Sequence, residues 1–215
     1  MVEAVIFDMD GVLVDSEPVH RRTLKEALKD NGVDISEEEI ERHTGQPVKD
    51  ILEIVKEERD ADFDVDKVAR QKTDRYIENL SDLKPVKGSV EIVKELYGSL
   101  KLALASSGMR EVVEGVISEL GIGRYLDAVV AFEDVERHKP DPEVFLKAAD
   151  ILGVKPENAL VVEDSEKGVE AALKGGFKVV GFESNHDLDL SRADVVVDSM
   201  EELLEEIQNI EDKKR

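Results

Sequence analysis

The sequence predicts an open, doubly wound parallel α/β sheet interrupted by an all-helical insert. Three observations carry this reading. Short apolar runs recur along the chain, amphipathic helical periods separate them from residue 100 onward, and residues 18–82 show helical periods with no convincing strand.

The first run is Ala4-Val5-Ile6-Phe7, too short for a helix and suited to a buried strand. Similar runs follow at Leu102–Ala105, Ala128–Phe132, Ala159–Val162, Val179–Phe182 and Val195–Val197. Their apolarity is continuous rather than alternating, which implies burial on both faces, as in a parallel sheet. Between them lie helices. Val112, Val113, Val116, Ile117 and Leu120 repeat at helical spacing before a stop at Gly121. Asp141-Pro142 reads as an N-cap and N1 proline ahead of Val144, Phe145 and Ala148. Val169, Ala172 and Leu173 precede a Gly175-Gly176 stop, and Ser199 with Glu202 forms a candidate capping box for a last helix. This alternation argues for right-handed βαβ units.

The insert takes its helix faces from Leu24 with Leu28, from Ile51, Leu52, Ile54 and Val55, and from Val65, Val68 and Tyr76. Ser36 with Glu39 is another capping box. The expected division is residues 1–16 and 83–215 for the sheet and 17–82 for the insert. Hinges are expected near Val14–Glu17 and Ser81–Lys87, where Pro85 and Gly88 punctuate the return. The charged tail Glu211–Arg215 is expected to fray.

Composition narrows the function. There are 51 Asp and Glu against 29 Lys and Arg, a net charge of −22. That argues against coating nucleic acid and against docking on an anionic membrane. No apolar run approaches a membrane span, and the N-terminus lacks a signal-peptide pattern. Cysteine is absent, so disulfides, thiolate catalysis and Cys-ligated zinc are excluded. The expected setting is the cytoplasm, and the expected state a monomer, with a dimer as the alternative. The acidic surplus also fits a salt-adapted or heat-adapted protein, or simply a solvated surface.

In open α/β sheets, ligands bind beyond the carboxyl ends of the strands. The first strand is followed by Asp8-Met9-Asp10-Gly11, the second by Ser106-Ser107, and the fourth by Glu163-Asp164-Ser165. A loop after the third strand carries His138-Lys139-Pro140. Parallel strands would bring all four sets to one edge. Four carboxylates cannot all ionise side by side without a partner. A hard divalent cation with oxygen ligands resolves the conflict, and the expected ion is Mg²⁺, which favours phosphate-bearing substrates. Lys139 suits an anionic oxygen next to the metal, Ser106 can donate to the same anion, and the helix beginning near Met109 adds its positive end. Both carboxylates of Asp8-Met9-Asp10 reach one ligand only if the backbone turns, which Gly11 allows. One can then attack phosphorus, and the other can protonate the leaving oxygen.

Taken singly, each set has a bland reading. Asp-x-Asp is usually an Asx-turn loop, Ser106-Ser107 an N-cap, Lys139-Pro140 surface, and Glu163-Asp164 a strand-end turn. An EF-hand loop fails, because Gly11 falls at the fourth position rather than the sixth, and Val12 and Val19 stand where oxygen ligands belong. Four complementary sets after different strands are much harder to produce by accident.

Across essentially its whole length the chain resembles the haloacid dehalogenase-like hydrolase superfamily. The matching segments are Phe7–Glu17, the Ser106 step, His138-Lys139-Pro140-Asp141-Pro142 and Val162-Glu163-Asp164-Ser165. The position of the helical insert is similar to that in the subgroup containing β-phosphoglucomutase and phosphoglycolate phosphatase. The resemblance implies a Rossmann-like core and a helical cap closing over a small phosphorylated metabolite. It implies Asp8 as nucleophile and Asp10 as general acid/base. It implies Mg²⁺ held by the Asp8 carboxylate, the Asp10 backbone carbonyl and Asp164, with Glu163 close by or bound through water. Ser106, with Ser107 beside it, and Lys139 would hold the phosphoryl group. Asp10 and the Glu163-Asp164 pair are out of place in a true dehalogenase, and a receiver domain lacks the insert.

Phosphatase is the expected activity and a β-phosphoglucomutase-type mutase the alternative. His20 stands where the mutase places a histidine, but many phosphatases share it. The mutase's distal-phosphate residues are replaced here by Gly45, Gln46, Lys49 and Gly108-Met109-Arg110, although Lys49 and Arg110 bring charge. His20, Gly45, Gln46, Lys49 and Arg110, with Arg75 and Tyr76, are the expected specificity positions. A non-catalytic binding protein should have lost one of Asp8, Asp10, Lys139 or Asp164, and all four are present.

Overall fold

The computed structural model describes residues 2–43, 46–184 and 188–212. The chain opens with strands β1 (Ala4–Phe7) and β2 (Val14–Asp15). Helices α1 (Glu17–Asp30), α2 (Glu37–Glu41), α3 (Val48–Glu58) and α4 (Val65–Glu78) follow. Then come β3 (Lys84–Pro85), α5 (Ser89–Leu96), β4 (Lys101–Ala105), α6 (Arg110–Leu120), β5 (Ala128–Val130) and α7 (Glu143–Leu152). The chain closes with β6 (Ala159–Glu163), α8 (Glu166–Lys174), β7 (Lys178–Phe182), β8 (Val195–Val197) and α9 (Met200–Asp212). It divides into two compact units, Met1–Asp15 with Lys84–Arg215, and Ser16–Leu83.

The larger unit holds a six-stranded sheet in the order β5-β4-β1-β6-β7-β8, with every pairing parallel. Successive strands step outward in one direction from β1, then in the other. β1 therefore lies at the switch point where open sheets form ligand crevices. Register aligns the strand ends. Phe7 pairs with Leu104 on one side and Val162 on the other, so Asp8 leaves the sheet beside Ala105 and Glu163.

Burial on both faces explains the continuous apolar runs. One face presents Ala4, Ile6, Ala103, Ala105, Ala159 and Val161 to a core shared with Phe145 and Ala148 of α7 and Ala171 and Ala172 of α8. Alanine at the contact lets a helix lie close on the sheet. Val5, Phe7, Leu102, Leu104, Leu160 and Val162, on the opposite face, are no more than 1% exposed.

The smaller unit packs Leu24, Ala27 and Leu28 of α1 against Ile51, Leu52 and Val55 of α3 and Val68 of α4. Ser36 and Glu39 make both bonds of the capping box that opens α2. Arg75 pairs with Glu26 and Asp30, tying α4 to α1.

Several local expectations need correction. Pro142 is the N-cap of α7 rather than its first residue, and Asp141 accepts the Glu143 N–H. At α9, Ser199 accepts the Glu202 N–H, but the Glu202 carboxylate turns to the Asp198 N–H, so only half the box forms. α9 continues to Asp212, into the tail expected to fray. The sequence also gave no sign of the antiparallel ribbon of β2 and β3, whose two-residue strands are too short for any periodicity. No helix among the described residues is long and apolar enough to cross a membrane.

Candidate active site

The loop after β1 is a tight turn. The carbonyl of Met9 accepts the N–H groups of Leu13 and Val14, and the Gly11 N–H donates back to Val14. Asp8 and Asp10 flank the buried Met9, and the Asp10 carboxylate acts on Asp8 through its charge. Gly11 sits at φ +72°. A Cβ there would lie 1.8 Å from Asp164 Oδ2. The turn therefore needs glycine twice, for its left-handed backbone and for the carboxylate pressed against it.

Asp8 is 7% exposed, and its N–H bonds the Val162 carbonyl. Lys139 reaches it from the loop between β5 and α7. Its ammonium donates to Asp8 Oδ1 at 2.6 Å, to Glu163 Oε1 at 2.7 Å and to the Ala105 carbonyl at 3.4 Å. No hydrogen bond among the described residues engages Asp8 Oδ2. Glu163 is 1% exposed. Its Oε2 accepts the Ser165 N–H at 2.7 Å and hydroxyl at 2.9 Å. Ser165 is the N-cap of α8, and a Cβ on Gly168 of that helix would collide with the Glu163 carboxylate. Glu163 is thus gripped at both oxygens, and it holds Lys139 in place.

Ser106 directly follows β4, buried at 1% exposure, and its hydroxyl accepts the Gly108 N–H at 2.9 Å. Ser107 beside it is exposed. Carboxylate oxygens of Asp8, Glu163 and Asp164 lie within 4.8 Å of one another.

The electrostatics follow from crowding. Burial raises the Asp8 carboxyl well above its ordinary value. Lys139 opposes this, while Glu163, Asp164 and Asp10 add to it. Asp164 is pushed up to about 7, first by burial and then by Glu163, against a lowering hydrogen bond from Ser184. Burial alone would lower the Lys139 ammonium, but Asp8 and Glu163 outweigh it and hold the group above its usual value. One ammonium against four carboxylates leaves excess negative charge. The all-oxygen, carboxylate donor set suits a hard divalent cation.

The expected specificity positions fare differently. His20 is half-buried. It stacks on Tyr76 at 4.2 Å, with the Lys72 ammonium 2.5 Å from its Nδ1. Tyr76 is 1% exposed and Lys72 is 6% exposed. Sequence reasoning missed Lys72, which lies 52 residues from His20 in the chain. Arg110 does not offer a free guanidinium, because it binds Asp134 and Glu114. Lys49 pairs with the exposed Asp66 at 2.6 Å. Gln46 is exposed, and Gly45 lies outside the described residues.

A doubly wound parallel sheet with these groups at its switch point defines a haloacid dehalogenase-like hydrolase. The profile of that family matches residues 5–182, and the chain belongs to it. Its relatives narrow the class. The chain is 34% identical to a fructose-1-phosphate phosphatase of Escherichia coli, covering 82% of this chain and 94% of the relative. It is 35% identical to a phosphorylated carbohydrates phosphatase of Thermotoga maritima, covering 82% and 83%. Among solved structures, a β-phosphoglucomutase of Clostridium difficile superposes with a TM-score of 0.80 at 27% identity, covering 97% of this chain and 96% of that one. The chain is an enzyme of the phosphatase class within the family.

Proposed function

We propose that the protein is a Mg²⁺-dependent phosphatase of small phosphorylated metabolites of the sugar-phosphate class, working through an aspartyl phosphate on Asp8. The observation that carries this is the clamp at the β1 exit. Lys139 bridges Asp8 and Glu163, and Asp164 stands within metal-ligating distance.

Lys139 occupies Asp8 Oδ1 and leaves Oδ2 to attack phosphorus. The bond from phosphorus to the ester oxygen breaks, and Asp10, as the acid, gives its proton to the departing alcohol. Asp10, now a carboxylate, takes a proton from water. That water attacks phosphorus, the bond to Asp8 breaks, and inorganic phosphate leaves. Ser106 and Lys139 hold the phosphoryl oxygens, with Ser107 at the rim. Asp8, Asp164 and the Asp10 carbonyl would hold the cation, which supplies positive charge against the phosphoryl oxygens. Glu163, gripped by Ser165 and Lys139, serves the site by fixing Lys139. The helical unit serves as the cap.

Hydrolysis is favoured over mutase chemistry by Arg110. A mutase must grip a second phosphate, and the cation nearest in sequence to the core serine is already taken by Asp134 and Glu114. The relatives that are sugar-phosphate phosphatases support the same substrate class.

The test is phosphate release from a panel of phosphorylated metabolites with and without Mg²⁺, with glucose 1-phosphate plus a trace of glucose 1,6-bisphosphate included. Mg²⁺-dependent release supports the phosphatase. Glucose 6-phosphate formed without free phosphate reassigns the chain to the mutases.

A further inference from the structure

We propose that Ser184 is a positioning residue that orients the Asp164 carboxylate toward the divalent cation. The inference rests on the metal-dependent reading above and adds a residue from a strand exit that carries none of the expected site groups.

Ser184 lies two residues beyond the end of β7, the strand beside β6. The pairing of Glu163 with Gly181 brings the two strand exits side by side. The chain bends at once, because the Ser184 N–H bonds the Phe182 carbonyl at 2.9 Å. That bend turns the hydroxyl toward the site, where it donates to Asp164 Oδ2 at 2.6 Å.

The same oxygen is confined by Gly11. The Cβ position of Gly11 lies 1.8 Å from Oδ2 and 2.9 Å from the Ser184 hydroxyl. Three strand exits thus meet at one carboxylate oxygen. No hydrogen bond among the described residues engages Oδ1. Rotation of an aspartate carboxylate about its last torsion is soft. A bond to one oxygen therefore decides whether the other faces the cation. Glu163 is held at both oxygens by Lys139 and Ser165, but Asp164 is oriented through Ser184 alone among the described hydrogen bonds. Partners that orient metal-binding carboxylates typically change metal affinity by about 10- to 100-fold when removed.

The test uses the full chain with Ser184→Ala and Ser184→Thr. Mg²⁺ binding is measured by calorimetry without substrate, and the Mg²⁺-induced rise in Tm is measured alongside. The expected result is Mg²⁺ affinity at least about tenfold weaker in Ser184→Ala, with a smaller Mg²⁺-induced rise in Tm. Ser184 is exposed, so the metal-free Tm should stay within about 2 °C of wild type. Ser184→Thr keeps the hydroxyl and should bind Mg²⁺ within about twofold of wild type. With substrate, the alanine variant should need more Mg²⁺ for half-maximal rate yet approach the wild-type kcat at saturating metal. Wild-type Mg²⁺ affinity in Ser184→Ala overturns the inference and leaves the phosphatase reading intact. Equal loss in the alanine and threonine variants also overturns it, because the hydroxyl is then not the cause. No Mg²⁺ binding by the wild type overturns the metal reading, and the inference with it.

Discussion

Replacing Gly11 with alanine separates backbone strain from damage to the site. Gly11 holds φ at +72°, where an alanine costs about 1–2 kcal/mol. For a chain of this size that lowers Tm by about 2–8 °C. Gly176 supplies the control. Its φ is +80°, so alanine meets the same strain, but nothing lies within 4 Å of the added Cβ. At Gly11 the Cβ would sit 1.8 Å from Asp164 Oδ2 and 2.6 Å from its Cγ, so the carboxylate must move by more than an ångström. Displacements of that size at a reacting centre cost about a hundredfold in rate. Thermal melts and Mg²⁺-dependent phosphatase assays on both variants decide the matter. The two should lose similar stability, Gly176→Ala should keep its turnover, and Gly11→Ala should lose about a hundredfold or more. Wild-type turnover in Gly11→Ala would refute the reasoning, as would an equal loss of activity in both.

Other outcomes follow from the same geometry. Lys139→Met leaves Asp8 and Glu163 facing each other in a buried site. Metal-free urea denaturation should show a loss of about 3–5 kcal/mol, towards the lower end because Asp8 can take up a proton. A loss under about 1 kcal/mol would contradict the clamp. Asp164 titrates near 7 in the folded chain against an ordinary value of 3.8, so its folded carboxyl is raised. Between those values the unfolded chain is ionised and the folded chain is not, so the metal-free protein loses stability as pH rises through that window. Mg²⁺ must displace a proton below about 7 and meets a ready carboxylate above it, so the Mg²⁺-induced rise in Tm should be larger near pH 8 than near pH 6. An equal or reversed increment would count against that coupling. In the helical unit, Leu52 is fully buried, and Leu52→Ala should cost about 2–5 kcal/mol in denaturant. A cost under about 1 kcal/mol would mean that this core is not packed as described.

What the sequence revealed follows the range over which each signal acts. Strands buried on both faces announce themselves as apolar runs, so Ala4–Phe7 and Ala159–Val162 were legible at once. That the polar residues just beyond them, Asp8, Ser106 and Glu163, gather at one edge was legible because a parallel sheet collects its carboxyl ends. Caps were legible to within a residue, as the shift from Asp141 to Pro142 shows. The ribbon of Val14–Asp15 with Lys84–Pro85 was not, because two residues carry no period and the partner lies across the whole insert. Ser184 was invisible too, since a serine after a strand has no signature until the fold sets it 2.6 Å from Asp164. The ion pairing of Arg110 was hidden for the converse reason. The charge was plain in the sequence, but its neutralisation by Asp134, 24 residues away, was not.

The most direct test of the central claim is a search for the phosphoryl group on Asp8 itself. Asp10→Asn removes both the acid for the alcohol and the base for water, so a substrate whose leaving group needs no proton, such as an aryl or acyl phosphate, confines the defect to the second half of the reaction. An acid quench after mixing that variant with such a substrate, ³²P-labelled, followed by peptide mapping, reads the intermediate. The account predicts label on the peptide that carries Asp8, and no label or turnover when Asp8 is replaced by Asn in a chain that still folds. Phosphate release from Asp8→Asn at the wild-type rate would contradict it.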